Sequence, residues 1–147
     1  MNTKTTHRFA AETTLWQTLA RWLLGAFLIG AGIAHLTVSR TTFLAQVPPW
    51  MPLDPDLVVV LSGIAEVLLG GALILLARYR VLVGWIAAGF FVLIFPGNIS
   101  QYVNGVDAFG LDTDLARFVR LFFQPLLVLW ALWCTSAWRH RSALKFW

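Results

Sequence analysis

Four stretches of the chain, residues 15–38, 57–77, 81–99 and 118–138, are almost continuously apolar, and each carries at most one charged side chain. A helix needs about 20 mostly apolar residues to cross a bilayer, and each stretch has roughly that length. The pattern therefore predicts an all-α fold: an integral membrane four-helix bundle forming a single domain over 1–147, with tails at 1–14 and 139–147. The connections are unequal. Between the second and third stretches stand only Arg78, Tyr79 and Arg80, a tight helical hairpin, whereas the first and third connections are each close to twenty residues long. Consecutive helices alternate in direction, so the two longer loops share one side.

Lysine and arginine choose that side. Lys4, Arg8, Arg21, Arg78, Arg80, Arg139, Arg141 and Lys145 belong to the side of the tails and the hairpin, against Arg40, Arg117 and Arg120 opposite. An excess of basic residues marks the cytoplasmic side. The expected orientation in the cell (plasma) membrane is N-in and C-in, with the two longer loops outside. A rival reading takes Arg21 and the apolar run up to Ala34 as a leader cleaved after Ala34.

Composition agrees: 59% of the residues are apolar and only 12% charged, where a soluble domain carries roughly 25% charge. The net charge of +4 would suit nucleic acid, but the basic residues lie in short clusters beside apolar runs, so no nucleic-acid partner is expected. One cysteine, Cys134, excludes an internal disulfide and a Cys-x-x-Cys pair. It reads as a small buried hydrophobe.

Gly25, Gly30, Gly32, Gly63, Gly70, Gly71, Gly84 and Gly89 lie within the stretches and read as positions of close helix packing. Trp16, Trp22, Trp85, Trp138 and Trp147 stand near the boundaries, as in an interfacial belt. The first long loop, from Phe43 to Pro52, is too apolar for a solvated loop and too rich in proline for a span. It is expected on the membrane surface or folded over the outer mouth of the bundle. Asp112, Thr113 and Asp114 supply capping side chains for the fourth helix.

Polar groups within a membrane are costly and mark a pathway, a pair or a ligand. They are His35, Glu66, Asn98, Gln101, Arg120 and Gln124. At about 1.5 Å rise per residue, Glu66 lies roughly 13 Å from the outer surface and His35 roughly 5 Å, and all six fall in the outer half. Arg117, Arg120 and Gln124 share one helical face, Gly63, Glu66 and Gly70 another, and Gly25, Gly32 and His35 a third. The expectation is a polar pocket facing the long loops, with Arg120 as the ion-pair partner of Glu66. Two good ligands are too few for a closed zinc centre, and no metal site is assigned. Pro96, Gly97 and Asn98 are expected to end the third helix, and Pro125 to interrupt the fourth.

At these residues the sequence resembles the DoxX family of small membrane proteins. The likeness runs through Gly32-Ile33-Ala34-His35, Ser62-Gly63-Ile64-Ala65-Glu66, Phe95-Pro96-Gly97-Asn98-Ile99 and Arg120-Leu121-Phe122-Phe123-Gln124-Pro125. It implies a four-helix membrane bundle that keeps its first helix, and a link to quinone-coupled oxidation or oxidative stress. On that reading the cofactor is a quinone or another apolar small molecule, as part of an oxidoreductase system. Glu66 and His35 would transfer protons. Asn98, Gln101, Arg120 and Gln124 would bind the ligand. The alternative from another class is a non-catalytic membrane anchor or assembly subunit, whose polar pairs are structural and whose outer face docks a protein partner.

Overall fold

The computed structural model describes residues 13–141. Five α-helices are formed, and no strands occur among the described residues: α1 Leu15–Leu36, α2 Arg40–Phe43, α3 Pro55–Leu75, α4 Arg80–Val103 and α5 Asp114–Cys134. Short 3₁₀ turns at Leu44–Gln46 and Ala77–Tyr79 complete the order. The expected residues Lys4, Arg8, Lys145 and Trp147 lie outside the described part.

Local chemistry starts each long helix where the chain offers a cap. Thr14 accepts from the Gln17 amide while the Gln17 side chain accepts from the Thr14 backbone, a reciprocal pair at the start of α1. Asp54 accepts from Leu57 N at 3.1 Å ahead of Pro55, which loses nothing by lacking an amide proton in the first turn. Thr113 does the same for α5, accepting from Ala116 N at 3.1 Å.

Neither interior proline ends its helix. Pro96 and Pro125 both lie inside continuous helices, so α4 runs on to Val103 and α5 is unbroken. The expected stop at residue 99 fails because residues beyond Pro96 gain packing and polar partners that hold the last turns: Asn98 and Gln101 are both buried and hydrogen-bonded. One missing backbone donor is tolerated in such surroundings.

α1 packs most closely on α3, and α4 on α5. The α1–α3 contact is a backbone contact. A Cβ added at Gly32 would lie 2.5 Å from the Gly63 carbonyl oxygen, and one at Gly70 would lie 2.5 Å from that of Gly25. Gly84 instead lies against the side chain of Thr135. Gly30, Gly71 and Gly89 have open space where a Cβ would stand, so packing does not account for those three.

The core is Leu24, Leu28, Leu73, Val83, Ala87, Ala88, Phe91, Ala131 and Cys134. Cys134 is fully buried, as its apolar surroundings in the sequence suggest. Beyond the core, polar groups at the hairpin end tie α1 to its neighbours. Gln17 donates to the Trp133 carbonyl at 2.8 Å, Trp130 donates to that of Ala20 at 3.0 Å, and Arg21 donates to the carbonyls of Leu73 and Ile74 where α3 ends. A cation against the last carbonyls of a helix meets their partial negative charge.

Large apolar side chains cover the outside, among them Leu15, Leu68 and Leu129, each more than 60% exposed. All four long helices are long and apolar enough to cross a membrane.

Candidate functional site

At the end of the bundle that carries the two longer connections, the helices part around a cavity of about 1000 Å³. That volume stands at the top of the roughly 300–1,000 Å³ range of small-molecule sites. Its walls are mostly apolar, with Phe27, Leu61, Phe90, Leu93, Ile94 and Leu127 among them. The polar groups are few: His35, Gln46, Ser62, Glu66, Asn98, Arg120 and Gln124 all reach the lining. Five of the six intramembrane polar residues singled out from the sequence are thus brought together. The sixth, Gln101, is buried outside the lining.

The close approach of α1 and α3 sets the first part of the site. With glycine at 32 and 63, the His35 Cβ rests against Gly63, and His35 Nδ1 comes within 2.8 Å of Glu66 Oε2. The same Nδ1 lies 2.9 Å from the Ala31 carbonyl oxygen, one turn back. A single ring nitrogen serves one of these at a time. If it carries the proton it donates to Ala31 and leaves Glu66 Oε2 without an aligned donor; if Glu66 is protonated, its hydroxyl donates to the ring. His35 and Glu66 thus form one unit in the wall, and as placed Glu66 Oε2 is buried with no well-aligned hydrogen bond among the described residues.

The expected Glu66–Arg120 pair is not formed; His35 takes that place. Rise along each helix gives depth within that helix but not the offset between neighbours. The glycine crossing, invisible to that estimate, sets His35 level with Glu66, while α5 packs chiefly on α4. Arg120 is left with Nη1 buried and without a hydrogen-bond partner among the described residues. Its Cζ stands 6.0 Å from the centroid of the Phe123 ring.

Asn98, Gln101 and Gln124 behave differently. Asn98 donates to Gln124 Oε1 at 3.1 Å, and Gln124 donates to the Phe91 carbonyl at 2.7 Å. Gln46 donates to Asn98 Oδ1 at 3.1 Å and to Gln101 Oε1 at 3.2 Å, and Gln101 donates to the Val106 carbonyl at 3.2 Å. The donors of this amide chain are already engaged within the protein. It fastens the first long loop to α4 and α4 to α5, and it leaves out Arg120 and the His35–Glu66 unit, the ionisable groups of the cavity.

Gln46 was not marked out from sequence. The available signal is a single amide in an otherwise apolar run between Phe43 and Trp50. Its loop folds over the cavity mouth, as one of the two expected placements had it. Phe43 stacks on the His35 ring with centroids 3.4 Å apart, and Phe109 from the other long connection sits 4.7 Å from Phe43. The Gln46 carbonyl runs over Gly97, where a Cβ would come within 2.5 Å of it.

Two arginines anchor the loops. Arg40 pairs with Asp56, which holds the Arg40 guanidinium more firmly protonated by hydrogen bonding. Arg117, buried, donates to Asp107, to Asp114 at 2.8 Å and to the Leu111 carbonyl at 3.0 Å. Arg117 is thus a loop clamp, although it shares a helical face with Arg120.

Comparison with known proteins corrects one expectation. No curated protein and no solved structure matches the chain, and the family model that does match is not that of the DoxX family. The motifs behind that resemblance are small residues at helix crossings beside buried polar side chains, which many compact helical membrane bundles require. The model that matches is described as Domain of unknown function (DUF8561) and covers residues 24–135, from the middle of α1 to just past the end of α5, and the chain belongs to that family.

Proposed function

We propose that this protein is a four-span membrane protein that holds an apolar small molecule by an oxygen-bearing head. One observation carries the reading. Arg120 Nη1 and Glu66 Oε2 are both buried, both lack a well-aligned partner, and both belong to residues lining one large apolar cavity. Buried polar groups without partners are expensive, and a ligand that satisfies them recovers that cost. A quinone belongs to the ligand class: Arg120 would donate to a ring oxygen, and where a partner dehydrogenase delivers the two electrons the His35–Glu66 unit would relay protons to the ring oxygens.

The orientation proposed places both termini in the cytoplasm and the cavity mouth outside, in the cell membrane. Arg21, Arg78, Arg80, Arg139 and Arg141 gather at the hairpin end, while Asp54, Asp56, Asp107, Asp112 and Asp114 all lie in or beside the long connections. That asymmetry supports the proposed sidedness.

A second reading, a non-catalytic anchor or assembly subunit with a protein partner at the loop end, draws on the amide chain from Gln46 to Gln124, a self-contained network that ties helices together. The two readings part in native mass spectrometry of the purified protein. Ligand binding predicts a co-purifying small molecule, or uptake of an added short-tailed quinone, that is lost in Glu66→Gln with folded yield preserved. A wild-type protein that stays empty with quinone in excess, beside a stoichiometric protein partner, would favour the anchor reading.

A further inference from the structure

The charged groups lining the cavity differ in their partners. His35 Nδ1 and Glu66 Oε2 face each other at 2.8 Å. Asn98, Gln124 and Gln46 are uncharged. Arg120 remains, with no acidic group within ion-pair distance among the described residues. The other two arginines at this end, Arg40 and Arg117, each have carboxylate partners. Five aspartates belong to this end of the molecule, yet the paired ones are drawn to the loop anchors and none reaches Arg120.

An arginine keeps its charge at any ordinary pH and cannot escape the cost of burial by losing a proton. The Phe123 ring, three residues along the same helix, gives some compensation but no counter-charge. A neutral carbonyl would satisfy Nη1 geometrically and still leave the guanidinium without an adjacent counter-charge.

We infer that the cavity selects an amphipathic anion, an apolar body ending in a carboxylate or a comparable acidic oxygen head, with the head seated on Arg120. The inference rests on the ligand-binding reading above and narrows it. The apolar body lies against walls such as Phe27, Leu61 and Ile94. A guanidinium also presents paired donors that match a carboxylate better than a lone oxygen.

The test is equilibrium binding of labelled laurate and labelled dodecanol, which differ in the head alone, to the full chain in nanodiscs of zwitterionic lipid, with empty nanodiscs subtracted. The inference predicts that laurate binds at least about tenfold more tightly than dodecanol, as a charge-assisted hydrogen bond allows. Arg120→Gln should abolish that preference, bringing laurate down to the level of dodecanol, and Arg120→Lys should keep much of it. An unchanged elution profile and thermal midpoint for Arg120→Gln show the variant to be folded. Equal binding of the two by wild type, or a preference that survives Arg120→Gln, overturns the anionic head and leaves a cavity for neutral ligands. Failure of the wild type to bind either overturns the ligand-binding reading with it.

Discussion

The buried amides divide into groups that hold the protein together and groups left over for something else, and single substitutions should separate them. Gln124 accepts from Asn98 and donates to the Phe91 carbonyl. Gln124→Ala strands both partners, and given the modest worth of hydrogen bonds between membrane helices it should cost about 1–2 kcal/mol. A lowered midpoint in detergent-denaturation experiments is the expected result. Arg120→Gln should leave that midpoint unchanged or raise it, because it removes an uncompensated charge rather than a bond. The identity of these residues was legible in the sequence, since polar side chains in apolar runs stand out. Their partners were not. Pairing depends on the offset between helices, and so His35 rather than Arg120 meets Glu66.

At the scale of helices, the glycines make a sharper test than their number suggests. Gly32→Ala and Gly70→Ala each push a methyl group against a facing backbone carbonyl, which cannot move aside alone. Overpacking of this kind costs about 1–3 kcal/mol. Gly30→Ala and Gly71→Ala meet nothing and should leave thermal unfolding, followed by circular dichroism, unchanged or slightly improved. Helix positions were readable because length and hydropathy suffice for an apolar span. The start of α5 was readable too, because Thr113 is a recognisable cap. The end of α4 was misjudged at Pro96 and Gly97. A proline signals a break only where nothing else satisfies the backbone, and here the loop from Arg40 to Trp50 folds back to pack on those turns.

For the whole molecule, the separation of charge sets an expectation for topology. Reporter fusions inserted near Phe109 should be active on the outer side, and fusions at the C-terminus or within the hairpin at Tyr79 should be active in the cytoplasm. The reverse pattern would place the cavity mouth inside the cell and remove the outer-loop reading of Phe43 and Phe109. The four apolar runs made the architecture legible, and the polar side chains within them pointed to a pocket at the loop end, but its size and largely apolar walls were not legible. Its volume comes from the way the α1–α3 and α4–α5 pairs part below the loops, and no local pattern of residues encodes that separation.

The central claim is that this chamber holds a small molecule, and blocking it tests the claim most directly. Ala65 lines the cavity without belonging to any of its polar groups. The measurement is the small-molecule inventory extracted from purified wild type and from Ala65→Phe, compared by mass spectrometry at matched folded yield. The account predicts a molecule carried by the wild type that Ala65→Phe lacks. The same inventory from both proteins, or none from either after incubation with laurate and a short-tailed quinone, would contradict it.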